Sequence, residues 1–176
     1  MNWTLLALME INCSKFDIPE RLHQGEKVED QKFTPEEKIY RRFPENYLSV
    51  HPETGAKTVD AAAFRTDRMS CNREKYSESA NDVLLDINGN HCFLCGIAEL
   101  TVENIQSISL VHPEQPKTYA LKVIHSPERC MYPHVEVFTF ENTVSIDDIN
   151  PKSIRRKIKE MYSGFSVIVK FPGVAV

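Results

Sequence analysis

The 176-residue chain has no apolar run long enough to cross a bilayer: the N-terminal stretch Trp3 to Met9 falls far short of the roughly 20 residues that a spanning helix needs. That stretch also lacks a basic leader and a small-residue cleavage site, and Glu10 closes it early, so it does not read as a secretion signal. No membrane partner is expected, and the expected compartment is cytoplasmic. Positive charge is not in excess either. At a formal net charge of −4 a nucleic-acid partner is not expected, because counterion release from phosphates favours a clearly basic domain. There is no phosphate-binding glycine loop, no metal triad, no internal repeat and no low-complexity tract, so no cofactor is called for. An even set of cysteines is missing as well. Five of them (Cys13, Cys71, Cys92, Cys95, Cys130) in a chain long enough to fold without staples argue for reduced thiols.

What is present fits one ordinary globular domain. Apolar residues make up 41% and charged residues 26% of the chain, which excludes a disordered or fibrous architecture. Residues 14–33 are polar without a clear period, so residues 1–33 read as an N-terminal extension or linker and 34–176 as the domain. Thr34-Pro35-Glu36-Glu37 has the form of a capping box, which predicts a helix from Pro35 to about Arg42, with Ile39 and Phe43 facing the core. The stretch from Pro44 to Ser79 reads as irregular, and long irregular stretches are where binding and catalysis concentrate. A short helix is expected at Asn81 to Leu85, capped by Ser77 or Ser79. Strands are expected at 91–98, 105–111, 118–125 and 134–140, and a last strand at 165–171. Asn150 and Pro151 predict the start of a C-terminal helix with Ile154, Ile158 and Met161 on its apolar face, and Gly164 its stop. The expected fold class is α+β, one mainly antiparallel sheet with two or three helices packed on it.

Four groups of residues carry candidate chemistry. His134 and Glu136, two apart on a strand, share a face and could transfer protons together, with Ser70 and Tyr76 completing a catalytic set. Arg41, Arg42, Arg68 and Arg73, with Arg65 and Lys75 nearby, could hold a phosphate or carboxylate through forked guanidinium bonds. Cys92 and Cys95, with Cys130 and His134, offer a weaker alternative as zinc ligands. A strand at 91–98 would point the first two thiols to opposite faces, so no metal is expected. The C-terminal helix carries Lys152, Arg155, Arg156, Lys157 and Lys159, a basic face suited to an acidic partner or to solvent.

Ile39-Tyr40-Arg41-Arg42-Phe43-Pro44, Ala62-Ala63-Phe64, Met69-Ser70 and Pro133-His134-Val135-Glu136-Val137 resemble the landmarks of a set of small prokaryotic proteins marked by Tyr-Arg-Arg, Ala-Phe, Ser and His-x-Glu. The resemblance covers roughly residues 38–140 and implies a free-standing domain but no activity. Two functions fit these features. The first is a binding or accessory protein that docks on another protein, as a subunit of a larger prokaryotic assembly. The second is an enzyme or ligand sensor acting on a phosphorylated or nucleotide-like ligand through an Arg/Ser/His site. The first is preferred on sequence because no nucleophile–base pair is written in it. Arg41, Arg42, Ser70 and His134 are expected to lie together if a site exists.

Overall fold

The computed structural model describes residues 18–24, 27–50, 52–86, 88–128, 130–147, 149 and 152–173, and in it the chain beyond Pro35 is extended, not helical. Strand β1 spans Lys38–Pro44. Ile39 and Phe43 are buried as expected, but a separation of four keeps two residues on one face of a strand as well as of a helix, so their spacing could not decide between the two. The decision comes from partners. All seven residues of β1 pair with β5 (Cys95–Thr101), from Lys38 opposite Thr101 to Pro44 opposite Cys95. The expected capping box forms only a turn, the Glu37 amide donating to the Thr34 carbonyl at 3.2 Å, while the Glu37 carboxylate is taken by Arg73.

The remaining strands are β2 (Leu48–Val50), β3 (Lys57–Val59), β4 (Arg68–Arg73), β6 (Ser109–Val111), β7 (Thr118–His125), β8 (His134–Glu141), β9 (Val144–Ile146) and β10 (Val167–Lys170). Eight of the ten form one antiparallel sheet in the order β10-β5-β1-β4-β8-β7-β6, with β9 on β8, and β2 and β3 form a separate ribbon. The sheet curls into a half-barrel. Among the described residues, only one helix has substantial length, α2 (Lys152–Phe165); α1 (Val102–Gln106) is a single turn, and the other helical pieces are 3₁₀ turns. The expected α+β fold with two or three helices is thus replaced by a mostly β fold. Among the described residues, no helix is long and apolar enough to cross a membrane.

The boundaries moved for local reasons. The strand expected at 91–98 starts only at Cys95, because residues 92–95 close a turn in which the Cys95 amide donates to the Cys92 carbonyl at 3.1 Å. The run 105–111 divides between α1, capped by the Thr101 hydroxyl, and β6. The stretch read as irregular contains β4, a central strand. Asn81 to Leu85 is a 3₁₀ turn at Ala80–Leu84, with Ser79 as the cap. Helix α2 buries Ile154, Ile158 and Tyr162 on the inner face of the sheet, the Tyr162 ring stacking on Phe64 at 5.5 Å. It runs through Gly164 to Phe165. Trp3 to Met9, Cys13, Asn150 and Pro151 lie outside the described residues.

Residues 27–37 are tied to one end of the sheet by buried polar groups. Arg73 is fully buried, ion-pairs with Glu37, donates to the carbonyls of Asp30 and Lys32, and lies 4.0 Å from the Phe33 ring centroid. His125 accepts the Asp30 amide at Nδ1 (2.9 Å) and makes a second bond from Nε2 to the Tyr132 carbonyl (2.9 Å). Burial depresses the pKa of this imidazole, opposed by the Tyr132 bond and reinforced by the Arg73 charge.

Candidate functional site

Strand alternation sets the site. In β4, Met69 and Cys71 point into the core while Arg68 and Ser70 are exposed; in β8, Val135 and Val137 fill the core and His134 and Glu136 share the opposite, outer face. The register places Ser70 opposite Glu136 and Asn72 opposite His134, so Ser70 and His134 are diagonal neighbours. Diagonal side chains on adjacent strands are within reach of each other. Ser70 Oγ lies 2.7 Å from His134 Nε2.

The imidazole is held from its other side. Its Nδ1 is 2.6 Å from the Ser126 carbonyl, which can only accept, so Nδ1 carries the proton and Nε2 offers its lone pair to the Ser70 hydroxyl. The histidine is 5% exposed, whereas Ser70 is on the surface. The result is an accessible hydroxyl hydrogen-bonded to a buried base whose tautomer is fixed by the backbone. Glu128 Oε1 stands 3.7 Å from the same Nε2. Cys71, the next residue of β4, is a nucleophile turned the other way: burial in the core pushes its thiol up to about 12.

The arginines divide. Arg41 Nη1 donates to the Ser70 carbonyl at 2.9 Å, in the region where β1 and β4 separate after the pairs Ile39–Arg73 and Tyr40–Asn72. Its Nε is buried and has no hydrogen-bond partner among the described residues. Arg42 belongs to the outer face by alternation, but its Nη1 reaches the Leu85 carbonyl (3.3 Å). Arg68 binds Glu136 at 2.8 Å, so Glu136 holds an arginine and does not orient His134. Arg73 is enclosed at the far end of β4 in the Glu37 network. Ser70 and His134 therefore form a bonded pair on the outer face, with Arg68 and Glu136 beside it, while Arg41, on the core face of β1 with Ile39 and Phe43, reaches Ser70 through its backbone carbonyl.

The cysteines form no metal centre among the described residues, where no group of three or more His, Cys, Asp or Glu side chains could hold an ion. Cys92 and Cys95 are disulfide-bonded to each other, and Cys130 is disulfide-bonded as well, which corrects the expectation of reduced thiols. The expected separation of Cys92 and Cys95 on opposite faces fails because residues 92–95 close the turn that leads into β5, with Cys95 its first strand residue. Sequence reasoning missed Ser126, whose role rests on its backbone carbonyl, a group every residue carries.

A second charged region flanks α2. Asp60, Ala61, Ala62, Lys152, Arg155, Arg156, Lys159 and Glu160 line a groove of about 520 Å³, and Arg65, Asp67 and Asp147 join Arg155 and Lys159 around another of about 380 Å³. No family model matches the chain, and no curated protein or solved structure matches it.

Proposed function

We propose that the chain acts on a phosphorylated or nucleotide-like ligand at the outer face of β4 and β8, with Ser70 as nucleophile and His134 as its general base. The observation that carries this reading is the 2.7 Å contact between the exposed Ser70 hydroxyl and the buried, tautomer-locked His134. A serine hydroxyl is a weak nucleophile until an adjacent base accepts its proton. In the proposed step Ser70 Oγ attacks phosphorus, its proton passes to Nε2, and the Ser126 carbonyl steadies the resulting imidazolium through Nδ1–H. The bond from phosphorus to the leaving oxygen breaks as the new one forms, that oxygen takes the proton from Nε2, and the phosphoryl group is left on Ser70. Arg68, exposed and two residues from Ser70 on the same face, is the cation placed to meet the ligand's negative charge.

A fluorophosphonate probe tests this reading. Peptide mass analysis should find the label on Ser70 of the folded protein, with none on Ser70→Ala and labelling slowed about 10²–10⁴-fold in His134→Gln, the range expected for loss of a general base. A folded wild-type chain whose Ser70 takes no label would overturn the assignment.

A second reading, an accessory protein that docks on another protein, is favoured by the five cations Lys152, Arg155, Arg156, Lys157 and Lys159 on α2, beside a groove. It predicts salt-sensitive binding of an acidic peptide that Lys152→Glu and Lys159→Glu together abolish.

A further inference from the structure

We propose that Cys92 and Cys95 are a thiol–disulfide exchange site that takes a protein dithiol as co-reactant. The two residues are three apart, their sulfurs are bonded, and their Cα atoms are 5.4 Å apart. The ring so closed is very short. A disulfide constrains the unfolded chain more as its loop lengthens, so this one adds little to holding the fold, and both redox states can be folded. The surrounding anchors do not depend on it: the Cys92 amide donates to the Leu84 carbonyl at 3.0 Å, and Cys95 opens β5, which is paired along its length with β1.

Access is asymmetric. Cys95 is 6% exposed and packed with Tyr40, Val83, Leu84 and Ile97, while Cys92 lies at the edge of that cluster and is only partly buried. Between them Phe93 and Leu94 are 62% and 68% exposed, an apolar tip standing on the surface. Such a tip gives a partner protein a contact that a small thiol would not use, which is why a protein dithiol is the assigned co-reactant.

The exchange balances without any other reagent. A thiolate of the dithiol attacks Cys92 Sγ, the Cys92–Cys95 bond breaks, and Cys95 leaves as a thiolate that takes a proton. The second thiolate of the partner then attacks its own sulfur in the mixed disulfide, which releases Cys92 as a thiol and leaves the partner oxidised. Cys71 takes no part, being enclosed in the core on the other side of the sheet.

The site is independent of the Ser70–His134 reading and is tested separately. The full chain is equilibrated in graded ratios of oxidised to reduced thioredoxin, quenched in acid, alkylated and mapped by mass. Cys92 and Cys95 should gain two alkyl groups together in one two-electron transition, with the circular dichroism spectrum unchanged and Cys71 unmodified. Cys95→Ser, its Cys92 first converted to the mixed disulfide with thionitrobenzoate, should pass to a mixed disulfide with a thioredoxin variant lacking its resolving cysteine as thionitrobenzoate is released, and Phe93→Ser combined with Leu94→Ser should slow reduction by thioredoxin about ten-fold while leaving reduction by dithiothreitol unchanged. A pair that stays oxidised until the protein unfolds, or equal slowing with both reductants, overturns the proposal.

Discussion

Arg73 and Glu37, 36 residues apart, form an ion pair whose guanidinium has no solvent access. The same guanidinium also binds the carbonyls of Asp30 and Lys32, so its charge is met on several sides.

Removing one member of such a pair leaves the other buried and uncompensated. Arg73→Met should destabilise the protein by about 3–5 kcal/mol, measured by urea unfolding. Arg68→Met, which breaks an exposed pair with Glu136, should change stability by less than about 1 kcal/mol. Similar losses in both variants would contradict the burial argument.

Acid should weaken the attachment of residues 27–37 in two stages. His125 has a lowered native pKa, chiefly from burial, so its contribution is complete above about pH 6.5; below that the unfolded chain binds the proton first and stability declines until the native ring is protonated too. Asp30 is also held low, first by its bond from Lys75 and then by that from Tyr76, so its contribution is present above about pH 3.8 and fades in more acidic solution. Unfolding midpoints measured against pH should show both declines, and His125→Gln should remove only the first.

Gly96 sits where β5 passes under the aromatic ring of Phe43. An added Cβ would lie 2.5 Å from Phe43 Cζ, 2.8 Å from Pro172 Cδ and 2.9 Å from the Lys170 carbonyl. Gly96→Ala should therefore destabilise by about 1–3 kcal/mol, the range for overpacking, whereas Gly164→Ala, with nothing within 4 Å, should be neutral or slightly stabilising. Thermal melts of the two variants compare them directly.

Ser70 and His134 should separate in stability measurements. Ser70→Ala removes an exposed hydroxyl and should shift stability by less than about 0.5 kcal/mol, while His134→Ala leaves the Ser126 carbonyl without its donor and should destabilise by about 1–3 kcal/mol. A large loss from Ser70→Ala would mark that hydroxyl as structural.

The sequence was legible where one period excluded the other. Val135 and Val137 against His134 and Glu136 alternate strictly, so β8 and the shared face of His134 and Glu136 could be read directly, as could the apolar stripe of α2. Ile39 and Phe43 could not be assigned, because their spacing fits both helix and strand and Thr34-Pro35 resembles a cap; the outcome rested on β5, more than 50 residues away. The Ser70–His134 contact was an expectation from residue types, but its geometry depends on a register between strands 64 residues apart. The partner of Glu136 was not legible for a related reason: its opposite neighbour is Ser70, and its carboxylate goes to Arg68, a pairing that exists only after β4 docks. Cys92 and Cys95 were misplaced because a run rich in apolar residues conceals a turn.

Strand β8 is flanked along one side by β7 and along the other by β4 and then β9, and these neighbours differ in chain distance. The β7–β8 and β8–β9 hairpins close short loops, whereas β4 must cross more than 60 residues to reach β8. Loop-closure entropy makes local pairing early and distant pairing late. The meander β7-β8-β9 is thus the natural nucleus of folding, with His134 already on its rim. Ser70 arrives with the later, long-range docking of β4 on β8, so a refolding chain gains its hydroxyl–imidazole pair only after the meander has formed.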